Sequence, residues 1–116
     1  MSNKGLTILQ LDLFYCNTVD IIITKHAYER ARKRMSWTAD AFKRMSEKAW
    51  TNGLEHKNTK GQLKHYIDDL WTKYETANSM RIYGENVYFF RSIGPDLCVL
   101  ITVYKIPTCL TKYLKL

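Results

Sequence analysis

Along this chain the spacing of apolar side chains changes from stretch to stretch, and each change marks a boundary between elements. Val19-Asp20-Ile21-Ile22-Ile23 is short, β-branched and closed by Thr24, which predicts a buried strand. Thr24 can turn its hydroxyl onto the free amides of a following turn, so a first helix is expected from there to about Arg34. Ser36 or Thr38 then caps a second helix, with Asp40 in its first turn, where a negative charge suits the helix dipole. Its apolar positions, Ala41, Phe42, Met45, Ala49 and Trp50, recur every three or four residues up to Gly53, the expected left-handed C-cap. Residues 54–60 are polar and turn-like. A third helix is expected over about 60–76, with Leu63, Tyr66, Ile67, Leu70, Trp71 and Tyr74 on one face.

Past Asn78 the pattern becomes extended, with strands expected over 80–83, 87–91 and 97–106. They are separated by Gly84-Glu85-Asn86 and Ile93-Gly94-Pro95-Asp96, both with turn chemistry. Such short connections favour an antiparallel meander. Along the last strand Leu100, Thr102 and Tyr104 alternate with Val99, Ile101 and Val103, which places Thr102 and Tyr104 on one face; Pro107 stops the ladder. The expected architecture is α+β, with N-terminal helices packed on one face of a small antiparallel sheet. All 116 residues form a single domain in this reading. Residues 1–18 form an N-terminal extension whose Leu6, Ile8, Leu11, Leu13 and Phe14 suit a short strand or a packed extended segment.

Apolar content of 46% and charged content of 25% are ordinary for a folded domain and argue against disorder. The three cysteines, Cys16, Cys98 and Cys109, are odd in number and lack paired short spacing, so neither a disulfide framework nor a zinc site is expected. Neither a secretory signal nor an apolar stretch of membrane-spanning length is apparent, and a cytoplasmic protein without a membrane partner is expected.

Charge alters the picture more. The formal net charge is +7, and the stretch from Thr24 to Arg34, with Lys25, Arg30, Arg32, Lys33 and Arg34 against Glu29 alone, carries +4 of it. Such a basic surplus favours a polyanionic partner, RNA, DNA or an acidic protein surface, and salt-sensitive binding. On a helix His26, Arg30 and Lys33 project within about 60° of one another, with Arg34 at the edge of that face. Ala27 and Ala31 form a neighbouring face that lets the helix approach a sheet closely. A solvated basic face is the plain interpretation of a charge run, but an imidazole among the cations supplies a group that titrates near neutral pH.

Metal-free RNA cleavage needs a group to take the proton from the ribose 2′-OH, a cation for the phosphorane and a donor for the departing 5′ oxygen. His26, Arg30, Thr102 and Tyr104 supply these as candidate catalytic residues, and no cofactor or metal is called for. Lys25, Arg32, Lys33, Arg34 and Arg91 are the candidate nucleic-acid contacts. His56 and His65 lack the spacing of a metal pair, and Trp37, Trp50, Trp71, Tyr66 and Tyr74 have the helical spacing of core residues. No glycine-rich phosphate loop, serine elbow or carboxylate dyad is present.

The early "ITKHAYERARKR", followed by helices, "FFR" and a late "LITVYKIP", resembles the RelE/ParE-like (barnase-EndoU-colicin-RelE) superfamily of small bacterial and phage proteins with a HxxxR first helix. The resemblance spans residues 21–107 and implies a helix-on-sheet fold. It also implies metal-independent endoribonuclease activity through a 2′,3′-cyclic phosphate, with His26 and Arg30 at one motif and Thr102 and Tyr104 at the other. A role as a toxin or a phage host-takeover factor goes with that activity, and an antitoxin or a host defence protein is the partner expected. The alternative is a non-catalytic basic phage protein that binds nucleic acid or inhibits a host defence nucleoprotein complex, in which Arg30, Lys33 and Arg34 matter more than His26.

Overall fold

The structure, a computed structural model, describes residues 19–114, so the expectation for residues 1–18 lies outside it. The chain runs β1 (Asp20–Ile23), α1 (Lys25–Met35), α2 (Ala39–Asn52), β2 (Leu54–Glu55), a 3-10 turn (His56–Asn58) and α3 (Gly61–Trp71). It continues through β3 (Ser79–Tyr83), β4 (Asn86–Gly94), β5 (Leu97–Lys105) and a 3-10 segment (Thr108–Leu114). This is an α+β fold on a sheet ordered β1-β5-β4-β3-β2. The meander β3-β4-β5 is antiparallel as expected, but β1 joins β5 in parallel, with Ile21 opposite Cys98 and Ile23 opposite Leu100. The sheet is therefore mixed. A parallel partner is reachable here because the helices and the meander between β1 and β5 supply a long crossover.

The sheet is covered on both faces. Tyr88 and Phe90 of β4 point to one side with Cys98, Leu100 and Val103, against Ala27 and Ala31 of α1 and Phe42 and Ala49 of α2. Val87 and Phe89 point to the other, with Met80, Ile82 and Ile106, against Leu63, Ile67 and Leu70 of α3. Only α1 and α2 share a face; α3 covers the opposite one. An antiparallel strand can bury both sides only when each has its own helix layer, which the run Val87-Tyr88-Phe89-Phe90, wholly buried, requires.

β5 carries one extra residue. Phe89 lies opposite Thr102 and Phe90 opposite Leu100, which leaves Ile101 unpaired as a bulge. Strict alternation would keep Leu100 with Thr102 and Tyr104. The bulge instead leaves Leu100 under α1 and α2, while Thr102, opposite Phe89, and Tyr104, opposite Val87, share the α3 face.

Helix ends follow local chemistry. Thr24 and Thr38 accept hydrogen bonds from the Ala27 and Ala41 amides at 3.0 and 3.2 Å, as N-caps should. The left-handed residue between α1 and α2 is Ser36, at φ 58°. Gly53 is not left-handed: its φ is −72°, and it is needed because a Cβ would lie 2.4 Å from the Ala49 carbonyl and 2.8 Å from Arg81 Cβ. α3 stops at Trp71, short of the expected end, because i+3 turns take over from Lys73 and Tyr74, and the Trp71 indole donates to the Ala77 carbonyl at 2.8 Å. That fold-back lays Tyr74 on Phe89, ring centres 5.9 Å apart. No helix among the described residues is long and apolar enough to cross a membrane.

Gly53→Ala should lower unfolding free energy by about 1–3 kcal/mol, the usual cost of overpacking. Gly94→Ala, where a Cβ meets nothing within 4 Å, should stay within about 0.5 kcal/mol of the parent. Urea denaturation of both variants checks the pair, and equal stabilities would refute the close-packing account.

Candidate functional site

β1 pairs only with residues 97–100 of β5, and the chain then becomes α1, which runs on beside the rest of that strand. Thr24 stands at the change. Its hydroxyl donates to the Leu100 carbonyl at 3.1 Å while accepting from the Ala27 amide, so one side chain both caps the helix and closes the strand edge. Further along, Arg34 Nη1 donates to the Val103 carbonyl at 3.3 Å. With Ala27 and Ala31 buried against the sheet, the rotation of α1 is set, and its His26/Arg30/Arg34 side is brought beside Tyr104.

These residues form a chain of contacts. Arg30 Nε donates to His26 Nε2 at 2.9 Å, and Arg30 Nη1 donates to the Tyr104 hydroxyl at 3.4 Å. The Arg34 guanidinium lies over the Tyr104 ring, 4.4 Å from its centre, a cation–π arrangement. On the far side the Tyr104 hydroxyl is hydrogen-bonded to that of Tyr74. For Nε2 of His26 to accept, it must be the unprotonated ring nitrogen, which places the proton of the neutral ring on Nδ1. His26 is exposed, and with Glu29, Arg30, Lys33 and Arg34 it lines a cleft of about 310 Å³.

Electrostatics separates the phenols. Burial pushes the Tyr104 phenol upward, but the bond from Tyr74 and the guanidinium groups of Arg30 and Arg34 outweigh it and leave its pKa below the ordinary tyrosine value. Tyr74 is shifted up, by burial and by its bond to Tyr104. Tyr66 is also shifted up, by burial and the nearness of Tyr104, against the pull of Arg34. Of the three, Tyr104 is the phenol readiest to give up a proton.

Among the described residues no carboxylate forms an ion pair with Lys25, Arg30, Arg32, Lys33 or Arg34; the ion pairs found are His56–Asp68 at 2.5 Å and Lys64–Asp68 at 3.3 Å. The cationic face of α1 is thus left unneutralised. Lys25 and Arg32 are exposed. Thr102 shares the Tyr104 face but is fully buried, its hydroxyl without a hydrogen-bond partner, so it underlies the site and does not open onto the cleft. Arg91 is held elsewhere: it donates to the Thr76 carbonyl at 3.0 Å, four positions along β4 from the residue opposite Tyr104, or roughly 13 Å of strand.

Two features escape the sequence reading. Tyr74 has the spacing of a core residue, and only the turn after α3 reveals it as the partner of Tyr104. His56 pairs with Asp68 and meets the edge of Trp71 at 5.4 Å; the bond from His56 is the chief reason that the Asp68 carboxyl lies below its ordinary range. Twelve residues separate His56 from Asp68, and helical periodicity does not join them. No group of three or more metal-ligating side chains is found among the described residues.

No family model, curated protein or solved structure matches this chain. The site's own groups are a neutral imidazole, paired guanidinium groups and an acidified phenol.

Spectrophotometric titration should detect a phenolate forming below the ordinary tyrosine range, absent in Tyr104→Phe. Arg34→Gln should move it upward, because the positive charge that favours the phenolate is lost. An unchanged curve in Tyr104→Phe would refute the assignment.

Proposed function

We propose that the protein is a metal-independent endoribonuclease that cleaves RNA by transesterification to a 2′,3′-cyclic phosphate and a free 5′-hydroxyl. The observation that carries this reading is the bridge made by Arg30 between His26 Nε2 and the Tyr104 hydroxyl. A phosphate is a stronger partner for a guanidinium than either of these neutral groups. On RNA binding Arg30 turns to the scissile phosphate, and that one movement frees the His26 lone pair and the Tyr104 hydroxyl beside it. His26 Nε2 takes the 2′-OH proton, the 2′ oxygen attacks phosphorus, and the P–O5′ bond breaks as Tyr104 gives its proton to the leaving oxygen. Arg30 and Arg34 stabilise the charge on the phosphorane. Solvent then reprotonates the phenolate and deprotonates the imidazolium.

In this mechanism Thr102 supports Tyr74 and Tyr104 from beneath without touching RNA, while Lys25, Arg32 and Lys33 hold flanking phosphates. The HxxxR helix and the LITVY strand, which carry the likeness to RelE/ParE-like toxins, are the segments that meet here. A cytoplasmic setting and an acidic antitoxin-like partner belong to the same proposal. A second reading, a non-catalytic polyanion binder, is favoured by the occupied lone pair of His26 and the unpaired cations of α1.

Incubation with total RNA in EDTA and mapping of the new ends tests the proposal. Cleavage should leave cyclic-phosphate ends, and His26→Ala should lower its rate by about 100-fold or more with RNA binding and the circular dichroism spectrum retained. Undiminished cleavage by His26→Ala removes the catalytic reading; salt-sensitive binding without any cleavage establishes the binder.

A further inference from the structure

Past the end of α1 the chain turns sharply through Ser36, and the half-buried Trp37 folds back against Phe42, ring centres 6.0 Å apart and tilted by 38°. Trp37 also lines a second cleft, of about 390 Å³, together with Arg34 and Lys105 and with Glu85 and Asn86 at the β3–β4 turn. Arg34 belongs to both clefts, so the second adjoins the first across a single side chain. Its size falls within the roughly 300–1,000 Å³ of small-ligand sites.

We propose that this second cleft takes the base of the nucleotide next to the scissile phosphate, stacked on Trp37, and that the substrate is therefore single-stranded RNA. The inference rests on the reading of the His26 cleft as an RNA site. The composition of the cleft carries it. A tryptophan fixed by Phe42 offers a flat surface on which any base can stack, at little cost in side-chain ordering. Asn86 both donates and accepts hydrogen bonds, and Glu85 accepts them, which suits the edge of a base and not a phosphate. Arg34 and Lys105 flank that surface with the cations that a backbone phosphate requires.

An acidic peptide fits less well, since it makes no use of the indole face and meets repulsion from Glu85. Duplex RNA is excluded from such a cleft because its bases are stacked in the helix, whereas unpaired bases can be splayed onto aromatic rings. From His26 to Arg34 the helix advances eight residues, about 12 Å. That is the reach of a short extended strand crossing from the imidazole to the indole.

The test uses the full-length protein and 2′-O-methyl RNA hexamers, which cannot be cleaved, either intact or with one abasic position moved along the strand. Affinity is measured by fluorescence anisotropy. At one position the missing base should weaken binding roughly tenfold, the usual scale of a single base stack. Trp37→Leu should erase the difference by weakening only the intact hexamer, and Trp37→Phe, which keeps an aromatic face, should retain most of it. Equal binding of intact and abasic strands, equal weakening of both by Trp37→Leu, or equally tight binding of duplex RNA overturns the proposal. Cleavage that depends on His26 but is accompanied by no base discrimination defeats this inference alone. Discrimination without cleavage defeats the ribonuclease reading alone.

Discussion

The hydroxyl of Thr24 is the constraint on which the rest of the arrangement hangs. A strand ending beside another strand leaves the neighbour's edge open, and a helix beginning there leaves its own first amides free. Thr24 answers both needs at one point, donating to Leu100 and accepting from Ala27. The register of β1 on β5 and the rotation of α1 are thereby tied together, and the small side chains of Ala27 and Ala31 settle how close the helix lies. His26, Arg30 and Arg34 come to stand beside β5 as a result of that junction.

Two helix layers then divide the labour. α1 and α2 cover one face of the sheet, and α1, lying along the strand edge, can still reach round to the other. α3 and the turn behind it cover that other face and bring up Tyr74. The phenol of Tyr104 therefore sits between guanidinium groups from one layer and an aromatic cluster from the other. Its acidity comes from that position: neither the arginines of a solvated helix nor the tyrosines of a core would separate the three phenols alone.

Much of this was legible in the residues and some was not. The cap at Thr24, the α1 face, the meander and the pairing of Thr102 with Tyr104 on one face all follow from local chemistry, in which neighbours in sequence are neighbours in space. The parallel pairing of β1 with β5 joins residues 77 positions apart, and nothing within either strand announces it. Gly53 looked like a left-handed cap because glycine most often marks one, yet its role is to let Ala49 and Arg81 close in. Tyr74 looked like core for a similar reason, since periodicity sees the helix but not the turn that ends it.

The bulge at Ile101 is a matter of arithmetic. Side chains on a strand alternate, so whether Ile101 is paired or left out of the ladder decides which helix layer everything downstream belongs to. Were Ile101 drawn into the ladder, Thr102 would lie opposite Tyr88 and, with Tyr104, fall beneath α1 and α2, in a space now filled by Val103, and the arginines would face an aliphatic side chain. A slip of one residue in this ladder is thus enough to take the phenol away from its cations while leaving every site residue in the sequence. The bulge is therefore as much a part of the site as its histidine.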